Sequence, residues 1–189
     1  MINKIDAARR QIECAVRLVV NQDDELAVHT LTMAAYTILM DLAKGTPFYE
    51  FGMKPYLTTI GTERFRGASA FLKHADRDPT GILPAFDSTE NDWRIGFGIL
   101  LYRELKGAFT PAMAAFHCWM VIRHPDEFAL AEDSDPEFEQ LYRQAIELQK
   151  KSGREVEVVF LKALLDLYKQ AAMSATTGFL RRSPGPPCH

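Results

Sequence analysis

His74 stands in the densest polar stretch of the chain, FLKHADRDPTG at 71–81, with Lys73, Asp76, Arg77 and Asp78 beside it. A histidine takes or gives a proton near neutral pH, and cations next to it can hold phosphate oxygens. At about 100° per residue, residues 63–78 laid on one helix place Phe65, Ala68, Phe71, Leu72 and Ala75 on a core stripe. Arg66, Lys73 and Arg77 form a basic stripe, and Gly67, Ala70 and His74 fill the strip between the two. Gly67 and Ala70 are small, so this strip lets a ligand or another backbone come close to His74. Residues 54–77 carry five basic side chains (Lys54, Arg64, Arg66, Lys73, Arg77) against two acidic ones (Glu63, Asp76). The pattern predicts an anion site at Arg66, Lys73 and Arg77 with His74 as its acid–base group. The plainer reading is a solvated helix end: cations suit the last turn of a helix, and Asp78-Pro79 is a standard exit.

The segment resembles one in bacterial all-helical proteins with an FxKHADRDP-type signature and is loosely similar to the HEPN superfamily. Those are small helical domains, often dimeric, in which active ribonucleases carry an arginine and a polar residue four to six residues before a histidine. The resemblance implies a HEPN-like bundle, a homodimer and a possible RNA or nucleotide ligand, with His74 as the acid–base or positioning residue. It covers about a dozen residues of the 189. Arg66 stands eight positions before His74, and Ala68 and Ser69 occupy the places of the arginine and its polar neighbour. A missing arginine removes the group that would stabilise a transition-state phosphate, so the resemblance implies a bundle without catalysis.

The other chemistry-bearing residues point to structure. His29 sits on a broadly apolar helix, His117 inside AAFHCWMVI, and His124 before Pro125. None is paired at i,i+4 and there is no HExxH, so no metal site is expected and each reads as a core or end-of-helix histidine. Cys118 follows His117 on a different helix face and reads as a small hydrophobe. No GxSxG, P-loop or GxGxxG occurs, and no cofactor is implied. In STENDWRIGF, Glu90 and Asp92 read as first-turn carboxylates favoured by the helix dipole.

These residues need helices to hold them. Apolar side chains recur at helical spacing over 4–20, and again over 25–44, where they cover most of the circumference. Asp and Asn in NQDD supply a cap between the two, and Gly45 a stop. GTPFYEFGMKP reads as an aromatic loop, 55–77 as mostly helical with a break at Gly61, and DRDPTGILPAFDSTEND as a second connection. Further helices are expected from Ser88 or Thr89 to Lys106, from Thr110-Pro111 to the RHPDE segment, over about 136–151 and over about 155–172. The small residues of GFG at 96–98 suit tight helix packing.

No segment alternates at period two, so the predicted fold class is all-α: a single bundle of six or seven helices over 1–180, HEPN-like or related, with 181–189 as a disordered tail. The net charge of −3 gives no global pull towards nucleic acid or an anionic membrane. Cys14, Cys118 and Cys188 are an odd set without metal spacing and read as reduced thiols. The amino-terminal residues lack the apolar core of a signal peptide, and the apolar run 111–122 is too short to span a bilayer, so a cytoplasmic protein without membrane contact is expected. The functional expectation is a non-catalytic binding or regulatory module acting as a homodimer. The alternative is a metal-independent ribonuclease or other phosphoryl-transfer enzyme using His74 with a neighbouring Arg or Lys.

Overall fold

The computed structural model describes residues 1–74, 76, 79–83, 86–128, 140, 143–147, 150–151 and 154–181. Arg77, Asp78 and the tail 182–189 lie outside the described residues, as does most of the acidic connection after Asp126. The fold is all-helical. Contacts gather into two compact units, Met1–Met113 and Ala114–His189.

In the first unit, α1 (Lys4–Asn21) begins where Asn3 Oδ1 accepts the Asp6 N–H at 2.8 Å. It ends at Gln22, whose left-handed backbone (φ 56°) lets the last N–H groups turn back onto Leu18 and Val19 carbonyls. Asp24 then caps α2 (Glu25–Ala43) by accepting the Ala27 N–H at 2.8 Å, the role expected for the NQDD carboxylates. Replacing Asp24 with Ala should cost about 1 kcal/mol, read as a lower denaturant midpoint with an unchanged slope.

Helix α2 is apolar on most sides because it is packed on most sides. It touches α1 and α6 (Thr89–Lys106), and α1 also touches α6. Ile12, Ala15 and Val16 of α1, Met33, Ala35 and Leu39 of α2, and Ile95 and Ile99 of α6 form the centre. By length and mean hydropathy (1.4), α2 also passes for a membrane span, as core helices often do. Gly98 shows why GFG is small: a Cβ there would stand 3.3 Å from Ile12 Cδ1, where α6 meets α1.

The segment between α2 and α6 departs from expectation. GTPFYEFGMKP is not a loop: Phe48–Met53 forms a π-helix that runs directly into α3 (Lys54–Ile60). The Lys54 N–H reaches back five residues to Tyr49 O, and Pro55, lacking an N–H, cannot continue an α-type ladder at the junction. Two short helices follow, α4 (Thr62–Arg66) and α5 (Ser69–Lys73). The expected break at Gly61 is present (φ 86°), and a second falls at Gly67 (φ 53°). Nine helical elements are thus found among the described residues, more than the six or seven expected, because this stretch divides so finely.

In the second unit, α8 (Arg154–Arg181) and the residues of α7 (Pro111–Arg123) from Ala114 onward contribute Phe116, Trp119, Met120, Val158, Leu161 and Leu165 to the core. Ile122 packs with Ile146, and Arg123 pairs with Glu157 at 3.4 Å. Cys118 is half-buried beside Tyr168, and burial pushes its thiol upward, as suits a packing residue.

Candidate functional site

The first turn of α6 supplies the densest buried chemistry. Asp87, not Ser88 or Thr89, holds this end of the helix: its Oδ1 accepts from both the N–H (2.9 Å) and the hydroxyl (2.6 Å) of Thr89. One turn in, Glu90 and Arg94 are four residues apart and therefore share a face, where they pair. The Arg94 side chain is only 3% exposed, whereas that of Glu90 is 44% exposed. Glu90 lies in the first turn as expected, and it is also the counter-ion of a buried guanidinium.

Arg94 does more than pair. Its Nε donates to Phe65 O at 2.7 Å and its Nη2 reaches Arg64 O at 3.5 Å. Its guanidinium lies 5.8 Å from the Phe65 ring centre, and Nη1 is buried without a hydrogen-bond partner. His29, fully buried on α2, takes the next carbonyl: its Nε2 faces Arg66 O at 3.1 Å, and its Nδ1 faces Asn91 Oδ1 at 3.1 Å. Asn91 is tied to α2 by its Nδ2, which donates to Glu25 O at 3.0 Å. Three successive carbonyls, at residues 64, 65 and 66, are therefore met by side chains from two other helices, and Arg64 O also accepts the Gly67 N–H. Carbonyls at a helix end have no partner within the helix, and a five-residue helix has little stability of its own. The buried cluster holds α4 in place.

Burial lowers the pKa of His29 below its ordinary 6.5; the Asn91 hydrogen bond opposes this, Arg94 adds to it, and the Arg66 carbonyl and Glu90 oppose it. Tyr36, whose ring lies 4.7 Å from that of Phe65, has a buried hydroxyl pushed strongly upward by burial.

Outside this cluster the same residues bound a cavity of about 190 Å³, lined by Tyr56, Ile60, Arg64, Phe65, Glu90, Trp93 and Arg94. Its aromatic walls are braced from behind by Phe97, whose ring centre lies 4.9 Å from Tyr56, 5.8 Å from Phe65 and 6.4 Å from Trp93. Arg64 is exposed, so the cavity combines flat apolar walls, a neutralised ion pair and an accessible guanidinium.

The residues singled out by sequence do not assemble as one helical face. The turn at Gly67 separates Arg66 on α4 from Ala70 and Lys73 on α5, so the helix projected over 63–78 does not exist. Arg66 is exposed and pairs with Glu63 at 3.4 Å, and Lys73 is exposed. His74 is half-buried just past α5, its N–H bonded to Ala70 O. Arg77 lies outside the described residues. Among the described residues, no hydrogen bond or ion pair links Arg66, Lys73 and His74. Gly67 does permit a close approach, but within the chain: a Cβ there would stand 2.9 Å from Arg94 Nη2 and 3.4 Å from His29 Cε1. Ala70, its expected companion, is exposed.

Apart from the Glu90–Arg94 spacing, nothing local in the sequence marks Arg94 or Asn91, and His29 reads there simply as a core histidine. Among the described residues, no group of three or more His, Cys, Asp or Glu side chains is placed to hold a metal ion. Compared with models of protein families, with curated proteins and with solved structures, the chain matches none of them.

Proposed function

We propose that the first unit is a non-catalytic binding module that holds a small ligand with a flat ring and one anionic group in the cavity beside α4. The observation that carries this reading is the division of labour along the cavity wall. Arg94, the buried cation, is already neutralised by Glu90 and by backbone carbonyls, while Arg64 stands exposed at the rim. A ring would lie against Tyr56, Phe65 and Trp93, and its anionic group would meet Arg64. Sites of this kind are mainly apolar with a few placed polar groups. The one carboxylate in the lining, Glu90, is already bound to Arg94. A phosphoryl-transfer site at His74 would instead need a cation within reach of the same phosphate, and the Gly67 turn divides the cations expected there.

Two probes test this, 4-fluorobenzoate and 4-fluorophenyl phosphate, each followed by fluorine NMR on the full chain. Saturable binding of at least one is expected, weakened about tenfold in Arg64→Gln, as for loss of one charge-assisted hydrogen bond. His74→Ala should bind as the wild type does. Failure of both probes to saturate, or equal affinity in Arg64→Gln, would overturn the reading.

A further inference from the structure

We infer that His29 is a proton-operated latch on α4, the helix that brings Arg64 and Phe65 to the cavity: its ring ties α6 to α4 through both nitrogens only as the imidazolium, so ligand binding beside α4 is linked to proton uptake. The link to ligand rests on the binding reading above; the latch itself does not.

The argument is a count of donors and acceptors. A single run of polar contacts crosses the unit from Glu25 O, through the Asn91 amide and the His29 ring, to Arg66 O. Both ends are carbonyl oxygens, which only accept. With Nδ2 of Asn91 donating to Glu25 O, its Oδ1 is left facing His29 Nδ1. Both ring nitrogens then face oxygen acceptors at 3.1 Å. A neutral imidazole has one N–H, so one of these contacts sets a lone pair against a lone pair. Turning the Asn91 amide over does not help, because it moves the mismatch to Glu25 O. Among the states of this run, the imidazolium alone satisfies every member.

The surroundings act on that state in both directions. From α6, Arg94 opposes the charge on His29, while the Glu90 carboxylate favours it. From α4 the ring meets the Arg66 carbonyl, the Arg66 side chain being paired with Glu63. The Phe86 ring packs on it edge-on at 5.4 Å and carries no charge. Burial lowers the pKa below 6.5, so the neutral ring prevails at neutral pH and the charged ring is reached on acidification.

Proton loss falls on one side of the ring. Asn91 is anchored on α6 and to Glu25 O, so it keeps the remaining N–H. Arg66 O sits at the end of a five-residue helix, next to the Gly67 turn, and is the contact that opens. The same helix brings Arg64 and Phe65 to the cavity. Protonation therefore fixes two of the residues the ligand would touch.

Imidazole nitrogen signals of His29 in the full chain, followed from pH 5 to 7.5, test the latch. The expected result is two protonated nitrogens at the acid end and one at the other, with a single midpoint below 6.5. The Gly67 amide signal should move with that midpoint. In Asn91→Leu the neutral ring is free to donate to Arg66 O, and the Gly67 response should vanish. If that variant does not fold, the wild-type titration decides alone: a ring neutral throughout, or one that titrates without Gly67, overturns the latch. A second arm compares 4-fluorobenzoate affinity at the two pH limits, where about fivefold tighter binding in acid is expected from the linkage. Equal affinity overturns the regulatory link. Absence of binding at both limits overturns the cavity reading, and with it the link, while the ring titration still decides the latch.

Discussion

Arg94→Met is expected to lower the stability of the first unit by about 2–4 kcal/mol, measured as a shift in denaturant midpoint. Methionine fills much of the same volume, so the loss reports on polar groups rather than on a cavity. Without the guanidinium, Phe65 O loses its donor at a helix end that cannot satisfy it internally, and Arg64 O is left with the Gly67 N–H alone. Glu90 loses its partner but remains 44% exposed and can turn to water, which keeps the cost below that of stranding a fully buried charge. The double variant Glu90→Leu/Arg94→Met separates these parts: if the ion pair dominated, removing both members would recover most of the loss. We expect recovery of less than half, because the orphaned Phe65 carbonyl persists. Near-complete recovery would show that Arg94 is held for its charge and not for its grip on α4.

Gly67→Ala should cost about 2–3 kcal/mol, from two sources that add. Its backbone (φ 53°, ψ −127°) is one that residues with a Cβ adopt only under strain. The new methyl would also press on Arg94 Nη2 from 2.9 Å, and that nitrogen is held by Glu90. Gly107 is the control, since it too has a positive φ (75°) but open space around it. Gly107→Ala should cost about 1 kcal/mol, the backbone part alone. Equal losses at the two positions would mean that the contact with Arg94 adds nothing.

The long helices were legible because each carries its own instructions. The pattern over 4–20, the NQDD cap and the Gly45 stop all act within a few residues of the helices they bound, and α1, α2, α6 and α7 appear nearly where they were read. The stretch between Gly45 and Ser88 was not legible, for two reasons. The hydrogen bonds of a π-helix span one more residue than those of an α-helix, which breaks the spacing by which helices are recognised, so Phe48–Met53 resembles an irregular aromatic loop. Gly67 carries no local sign distinguishing a tolerated helical glycine from one that turns the chain. The site was hidden for a different reason. Arg94 is a surface-type residue made buried by carbonyls 29 and 30 positions away, and the two ring nitrogens of His29 face partners 37 and 62 positions away. Distances of that kind are set by the assembled fold.

The position of α2 between a helix that precedes it and one that follows much later has a consequence for the chain as it is made. While the polypeptide is being synthesised, α1 is available at once to cover one flank of α2. The other flank waits for Thr89–Lys106, so more than forty further residues must be added after α2 ends. Throughout that interval the most apolar helix of the unit lies half bare, in a state open to aggregation and to capture by chaperones. A product that stops before Thr89 would keep that bare flank permanently and also lack Asn91 and Arg94, the groups that hold α4. Fragments cut between α5 and α6 are therefore expected to be insoluble.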